Sequence, residues 1–286
     1  MRFLFFFILS WSSLCFAQES ISEPFLYEVQ SPQGSLYLLG TLHFGVRLQE
    51  MPQGIRDLIP KMKAVTFEVL SSDPVNFFDL SWQRDDFARN HRSPLRHYLS
   101  EAQYMCLVQR IRKAWNLTAV NTDYLYFLSP IAATFIVRNA WMVEHFQQLS
   151  FDQEVEAMAI GSGVPVSHLE LPNQTYEKLA PYWLDGMEDL KATLDDLTQL
   201  DQWVEIYRSG DETKVTSGIA DYVRKYSQLG SATFDRRTQE WVEPVLKSLQ
   251  SEGPHMLVIG VGHLVGPQGL IEILKAKGLQ VRRVQF

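Results

Sequence analysis

An α/β fold, a central mixed β-sheet surrounded by helices, is what three features of this sequence predict. Short apolar runs and helix-patterned stretches occur from one end of the chain to the other. The last stretch, 255–283, reads as strand, glycine-bearing loop, helix and strand. Two apolar runs far apart also end alike, in Gly40-Thr41-Leu42-His43 and in Gly260-Val261-Gly262-His263. A polar residue at the C-terminal tip of a buried strand is where an α/β sheet places its chemistry.

Residues 1–17 stand apart from the rest. Arg2 gives a positive start, Phe3 to Leu9 is continuously apolar, and Cys15-Phe16-Ala17 puts small residues where a signal peptidase reads. This pattern predicts a secretory signal peptide cleaved after Ala17, hence an exported protein of the periplasm or the extracellular space. The apolar run is short and broken by serines, which argues against an uncleaved anchor, and Leu14 is bulkier than a lipid-attachment site at Cys15 accepts. A polar lead-in over 18–24 and a single domain over 25–286 follow. Without Arg2 the chain carries 25 basic and 33 acidic side chains, net about −8, with no basic tract, which argues against nucleic acid as a partner. Without Cys15 only Cys106 is left, so no internal disulfide is expected, and a chain this long can bury a core without one. No later apolar stretch is long enough to span a membrane.

Phe25 to Val29, the turn residues Ser31-Pro32-Gln33-Gly34 and then Leu36 to Gly40 predict a β-hairpin leading into the first histidine. Pro52 with Ile55, Leu58 and Ile59 predicts a short helix. Ala64 to Val69, rich in β-branched residues, predicts a strand ending at Glu68. Over about 75–150 the pattern turns helical and aromatic, a helical insertion with Met105, Leu107, Val108 and Ile111 as core candidates and Ser129-Pro130 as a helix start. Ser150 to Ile160 predicts a helix with acidic residues at its positive end, stopped by Gly161 and Gly163. Val164 to Glu170 predicts a strand, and Pro165 assigns it to an edge or entry position. From 174 to 250 the chain is mainly helical, with Leu190, Leu194, Leu197 and Leu200 at helical spacing, a turn at Ser209-Gly210-Asp211, and a helix from Phe234 to Leu249 that buries Trp241, Val242, Val245 and Leu246. Met256 to Ile259 is the next strand. Leu270, Ile271, Ile273 and Leu274 stripe a helix that stops at Gly278, and Gln280 to Val284 suits a final edge strand. The two histidine ends and the two glutamate ends, Glu68 and Glu170, are what a pseudo-two-fold arrangement would leave.

His43 and His263 have the chemistry of a divalent-metal site for Mn, Co, Zn or Fe, and Glu68 and Glu170 could complete its shell, with His43, Glu68 and His263 the first choices. His168, two residues before Glu170, shares its strand face and is a minor ligand candidate. Spacing alone leaves the bland readings open. A histidine after a strand is more often a loop or core residue, and Asp152 suits a helix N-terminus equally well. Gly40, Gly260 and Gly262 suit close passage of backbone. Gly260-Val261-Gly262 lacks the remaining glycine spacing of a dinucleotide loop, there is no Gly-x-Ser-x-Gly elbow, and Cys106 falls in an amphipathic helix.

Taken together, LLGTLHFG at 38–45, FEV at 67–69, FDQEVEAMA at 151–159, VPVSHLE at 164–170 and the closing LVIGVGHLVGPQGLIEILKAKGLQVRRV resemble the TraB/PrgY/GumN family, which includes the animal Tiki ectodomain proteases. The resemblance runs from about residue 25 to 285. It implies a sheet-and-helix fold similar to the erythromycin-esterase-like and ChaN-like proteins. Carried over position by position, it implies His43 and His263 as the histidines, Gly40 and Gly260 as their glycines, Glu68 and Glu170 as the strand-end carboxylates, Asp152 on a helix, and Arg237 or Arg236 as the arginine before Trp241. One position departs from the pattern: Thr238 stands where many members carry asparagine, which puts activity in question. The implied activity is a divalent-metal-dependent hydrolase acting on peptides. Read chemically, a carboxylate not consumed as ligand, Glu68 or Glu170, would accept the proton of a metal-bound water, and Arg237 would stabilise the developing oxyanion. The competing expectation is a non-catalytic binding protein for a peptide, another small ligand, haem or iron.

Overall fold

The computed structural model describes residues 21–32, 34–69, 80–90, 92–114, 125–146 and 150–286. The expected signal peptide, with Cys15 and the cleavage point, and the first residues of the lead-in lie outside them. Ile21, midway along the lead-in, is 3% exposed and donates its N–H to the Glu50 carbonyl.

The first two strands, β1 (Leu26–Gln30) and β2 (Ser35–Thr41), pair antiparallel around the expected turn, where Ser31 and Gly34 exchange backbone hydrogen bonds. After α1 (Gln53–Leu58) comes β3 (Ala64–Val69), and then α2 (Leu80–Arg89), α3 (Glu101–Ala114), α4 (Pro130–Phe146) and α5 (Phe151–Gly161). Strand β4 (Val166–Glu170) is followed by α6 (Pro172–Leu179), α7 (Trp183–Asp195), α8 (Thr198–Arg208), α9 (Glu212–Lys225) and α10 (Arg237–Leu249). The chain ends with β5 (His255–Gly260), a single turn α11 (Val261–Leu264), α12 (Leu270–Ala276) and β6 (Gln280–Arg283).

The sheet is mixed, with strand order β4-β3-β5-β2-β1-β6. Strands β4, β3, β5 and β2 run parallel, while β1 pairs antiparallel with β2 and with β6. Both predicted edge strands, β4 and β6, are edges. Val65, Phe67, Leu38, Leu39, Val258 and Ile259 are at most 1% exposed, as expected of parallel strands covered on both faces. One hydrophobic core packs these strands against α1, α5, α10 and α12. A second packs α3, α4, α6 and α7 with the segment around Tyr226 to Ala232, so the helical insertion is completed by residues far beyond position 150.

Four details depart from expectation. Met105 is 42% exposed, because the α3 stripe turned inward is that of Leu107 and Ile111, with Val108 half-buried beside them. The leucine series from 190 to 200 is split between α7 and α8, since the chain leaves helical geometry at Asp196. The helix expected from Phe234 opens as a π-helical stretch, Ser231–Arg236, which runs directly into α10. Leu246 in that helix is half-buried rather than buried.

Candidate functional site

Because β4, β3, β5 and β2 are parallel neighbours, their C-terminal ends share one edge of the sheet. Glu170 ends β4, Glu68 lies one residue from the end of β3, Gly260 ends β5 with His263 in the turn after it, and His43 follows Thr41 at the end of β2. Residues 220 positions apart in sequence therefore meet in one place.

Glu68 is the centre. Its Oε1 accepts from Arg237 Nη2 at 2.9 Å and its Oε2 from the Gly260 N–H at 2.8 Å. The same two oxygens face the two imidazoles: His263 Nε2 is 3.6 Å from Oε1, and His43 Nε2 is 3.6 Å from Oε2. Burial opposes the charge on Glu68, but His263, Arg237, His43 and the Gly260 N–H outweigh it and hold the carboxyl well below the usual carboxylate range.

The two histidines differ. His43 has a side chain 51% exposed, whereas that of His263 is 4% exposed, so the site opens on the His43 side. His43 Nδ1 meets Asp152 Oδ2 at 3.0 Å, and Asp152 Oδ1 accepts from Thr41 Oγ1 at 2.7 Å. Desolvation works against a charged His43, but Asp152 first and then Glu68 raise its pKa to about 9. For His263, burial, helped by the Arg237 and His43 charges, lowers the pKa to about 4 against the pull of Glu68 and Glu170. The ring of His263 packs on Trp241 with centroids 4.5 Å apart.

Arg237 and Glu170 form the floor. Arg237, 4% exposed, donates Nε to Glu170 Oε2 at 3.1 Å, and its guanidinium lies over the Trp241 ring at 4.8 Å. Glu170 also accepts from Thr175 Oγ1 at 2.7 Å, Lys178 Nζ at 2.8 Å and Trp241 Nε1 at 2.9 Å. Burial would raise its pKa, yet Arg237, Lys178 and Thr175 lower it. Every oxygen of Glu170 is thus committed, and this carboxylate fixes Arg237. A buried ion pair tolerates desolvation only when its remaining donors and acceptors are also satisfied, as they are here.

The structure brings His43, Glu68, Asp152, Glu170, Arg237 and His263 together. Of the two arginines, Arg237 reaches Glu68 and Glu170, whereas Arg236 is exposed and donates to the Tyr182 hydroxyl. The structure also resolves Asp152: Ser150 caps α5, leaving the aspartate free to hold His43. His168 is elsewhere, with its Nε2 3.0 Å from Glu156 Oε1. Among the predicted glycines, Gly260 touches the site. A Cβ there would lie 3.0 Å from His43 Nε2 and 3.2 Å from Glu68 Oε2, whereas Gly40 and Gly262 make room for Leu264 and Phe234. Sequence reasoning missed Thr41, although it sits inside the Gly-x-x-His signal. It also missed Tyr207, whose hydroxyl donates to the Gly40 carbonyl at 2.7 Å and which no local pattern announces.

Among the described residues there is no group of three or more His, Cys, Asp or Glu side chains arranged so that it could hold a metal ion. The donor types at Glu68, two imidazole nitrogens and a carboxylate, are those a divalent ion takes. Two ligands about 2.1 Å from one tetrahedral ion lie about 3.4 Å apart, close to the two 3.6 Å contacts of Glu68. The space at Gly260 that a methyl group would fill is bordered by His43 Nε2 and Glu68 Oε2. The Nδ1 atom of each histidine is occupied by a side-chain partner, the usual outer support of a histidine that ligates through Nε2.

Fold and site together define an α/β protein with a buried carboxylate–arginine centre between two strand-end histidines. Residues 25–283 match the TraB/PrgY/gumN family, and the chain belongs to that family. No curated protein and no solved structure matches the chain. No helix among the described residues is long and apolar enough to cross a membrane.

Proposed function

We propose that this protein is an exported, divalent-metal-dependent hydrolase that cleaves peptide bonds. The observation that carries the reading is the convergence of His43 Nε2 and His263 Nε2 on the two oxygens of Glu68. Held by His43, His263 and Glu68, a divalent ion would supply Lewis acidity and a bound water of lowered pKa. The chain's own residues do the remainder. Asp152 orients His43 on the open side, and Glu170 with Trp241 holds Arg237 in place. Arg237, fixed beside Glu68, is the positive charge nearest the site for a carbonyl oxygen that gains negative charge. Glu68, kept ionised, offers its negative charge to a cation at the meeting point of the two rings. The choice of peptides over other small substrates rests on the resemblance to the Tiki proteases, and export rests on the N-terminal pattern of residues 1–17.

The test is metal content and turnover of the protein lacking residues 1–17. Equilibrated with Mn²⁺, Co²⁺, Zn²⁺ or Fe²⁺, it should bind about one ion per chain, and His43→Ala or His263→Ala should abolish that binding. Full retention by both variants would remove the metal assignment. Peptides should be cleaved with metal and spared with chelator; capture of intact peptide under every metal would instead make this a binding protein.

A further inference from the structure

We infer that Thr238 is the positioning residue that decides which nitrogen of His263 carries the proton and which is left open toward Glu68. Thr238 is 1% exposed, and its Oγ1 has two neighbours: the Phe234 carbonyl at 2.5 Å and His263 Nδ1 at 2.8 Å. A hydroxyl has one proton to give, and a carbonyl oxygen can only accept. The Thr238 proton therefore goes to Phe234, and the contact with the ring is made the other way, with His263 Nδ1–H donating to Oγ1. In a neutral imidazole that leaves Nε2 as a lone pair.

This lone pair faces Glu68 Oε1 from 3.6 Å. Two electron-rich atoms directed at one another are a poor arrangement unless a cation or a proton donor comes between them. Left to itself, the ring would do better with the other tautomer, giving Nε2–H to the carboxylate. The Thr238 hydroxyl, aligned by the backbone at the exit of the π-helical stretch, works against that choice. Phe234 and Trp241 pack against the His263 ring at tilted angles, with centroids 5.5 and 4.5 Å away. The threonine that departs from the asparagine of many relatives is thus built into the site, with its own oxygen in the accepting role.

The inference rests on the proposed function only where a metal is used as the probe. Its primary measurement needs none: long-range ¹H–¹⁵N correlation spectra of the metal-free protein, which report the tautomer of His263. The natural protein and Thr238→Ser should show the proton on Nδ1. Thr238→Val, of nearly the same shape, should move it to Nε2, with Zn²⁺ affinity falling about 10- to 100-fold while the serine variant stays close to the natural protein. A natural protein protonated at Nε2 overturns the inference, and so does a valine variant with an unchanged tautomer. Should the valine variant fail to fold, the spectrum of the natural protein still decides. If the tautomers behave as stated but Zn²⁺ does not bind, Thr238 keeps its role and the metal-dependent reading falls.

Discussion

Gly260 shows how a single residue can admit a site. Its φ of −53° and ψ of 133° suit any residue, so the requirement for glycine comes from space and not from backbone conformation. Gly260→Ala should lower thermal stability modestly, because its methyl group, in the opening between the two, would crowd His43 Nε2 at 3.0 Å and Glu68 Oε2 at 3.2 Å and make one of them shift. It should weaken divalent-metal binding by tenfold or more, on the scale of about 1.4 kcal/mol per tenfold. Calorimetric titration beside a thermal scan separates the two effects, and unaltered metal affinity would show that the ion does not sit at this opening. At this scale the two Gly-x-x-His ends and Glu68 were readable, since a polar residue after an apolar run is a local pattern. Asp152 was not decided by sequence, because an acid in the first turn of a helix has a sufficient local explanation in the helix dipole. Its bond to His43 exists only once α5 and β2 are neighbours.

At the scale of elements, α5 joins the site to the frame. Ser150 accepts from the Gln153 N–H while the Gln153 side chain accepts from the Ser150 N–H, a reciprocal cap at the start of the helix. From the same turn Asp152 reaches His43, and Glu154 binds Arg47 and the Leu48 N–H. Ser150→Ala should cost about 1 kcal/mol in urea denaturation, a fall in Tm of about 2–4 °C for a chain of this size. A loss of Tm well outside that range would mean that Ser150 does more than cap. Strand and helix identities were legible wherever one period ran uninterrupted, as in β3, α5 and β5. The π-helical stretch was not, because its wider turn has no residue pattern that separates it from the α-helix it runs into. Nor does the leucine spacing across 190–200 reveal a break, since Asp196 turns the chain without disturbing the count of residues between leucines.

The whole molecule is closed by its ends. The last strand pairs with the first through Tyr27–Arg283 to Gln30–Gln280, and Glu28 binds the guanidinium of Arg282 across that seam. Sequence indicated both strands but could not join them, since an edge pairing of residues 250 positions apart has no local signature; the same is true of the second core, assembled from 95–137 and 176–232. Burial alone would raise the pKa of Glu28, but Arg282 lowers it below 4.5. A carboxyl depressed on folding stabilises the folded state above its unfolded pKa, and that contribution is lost as the pH falls through the folded value. Arg282 is 70% exposed, so the pair is screened by solvent and worth at most about 1 kcal/mol. Glu28→Gln should therefore be less stable than the natural protein by up to about that amount at neutral pH, and the gap should shrink toward zero below about pH 4. Urea titrations of both proteins at the two pH values measure it. A gap of equal size at both would assign the seam at Glu28 to packing and neutral hydrogen bonds, with no share for the charge.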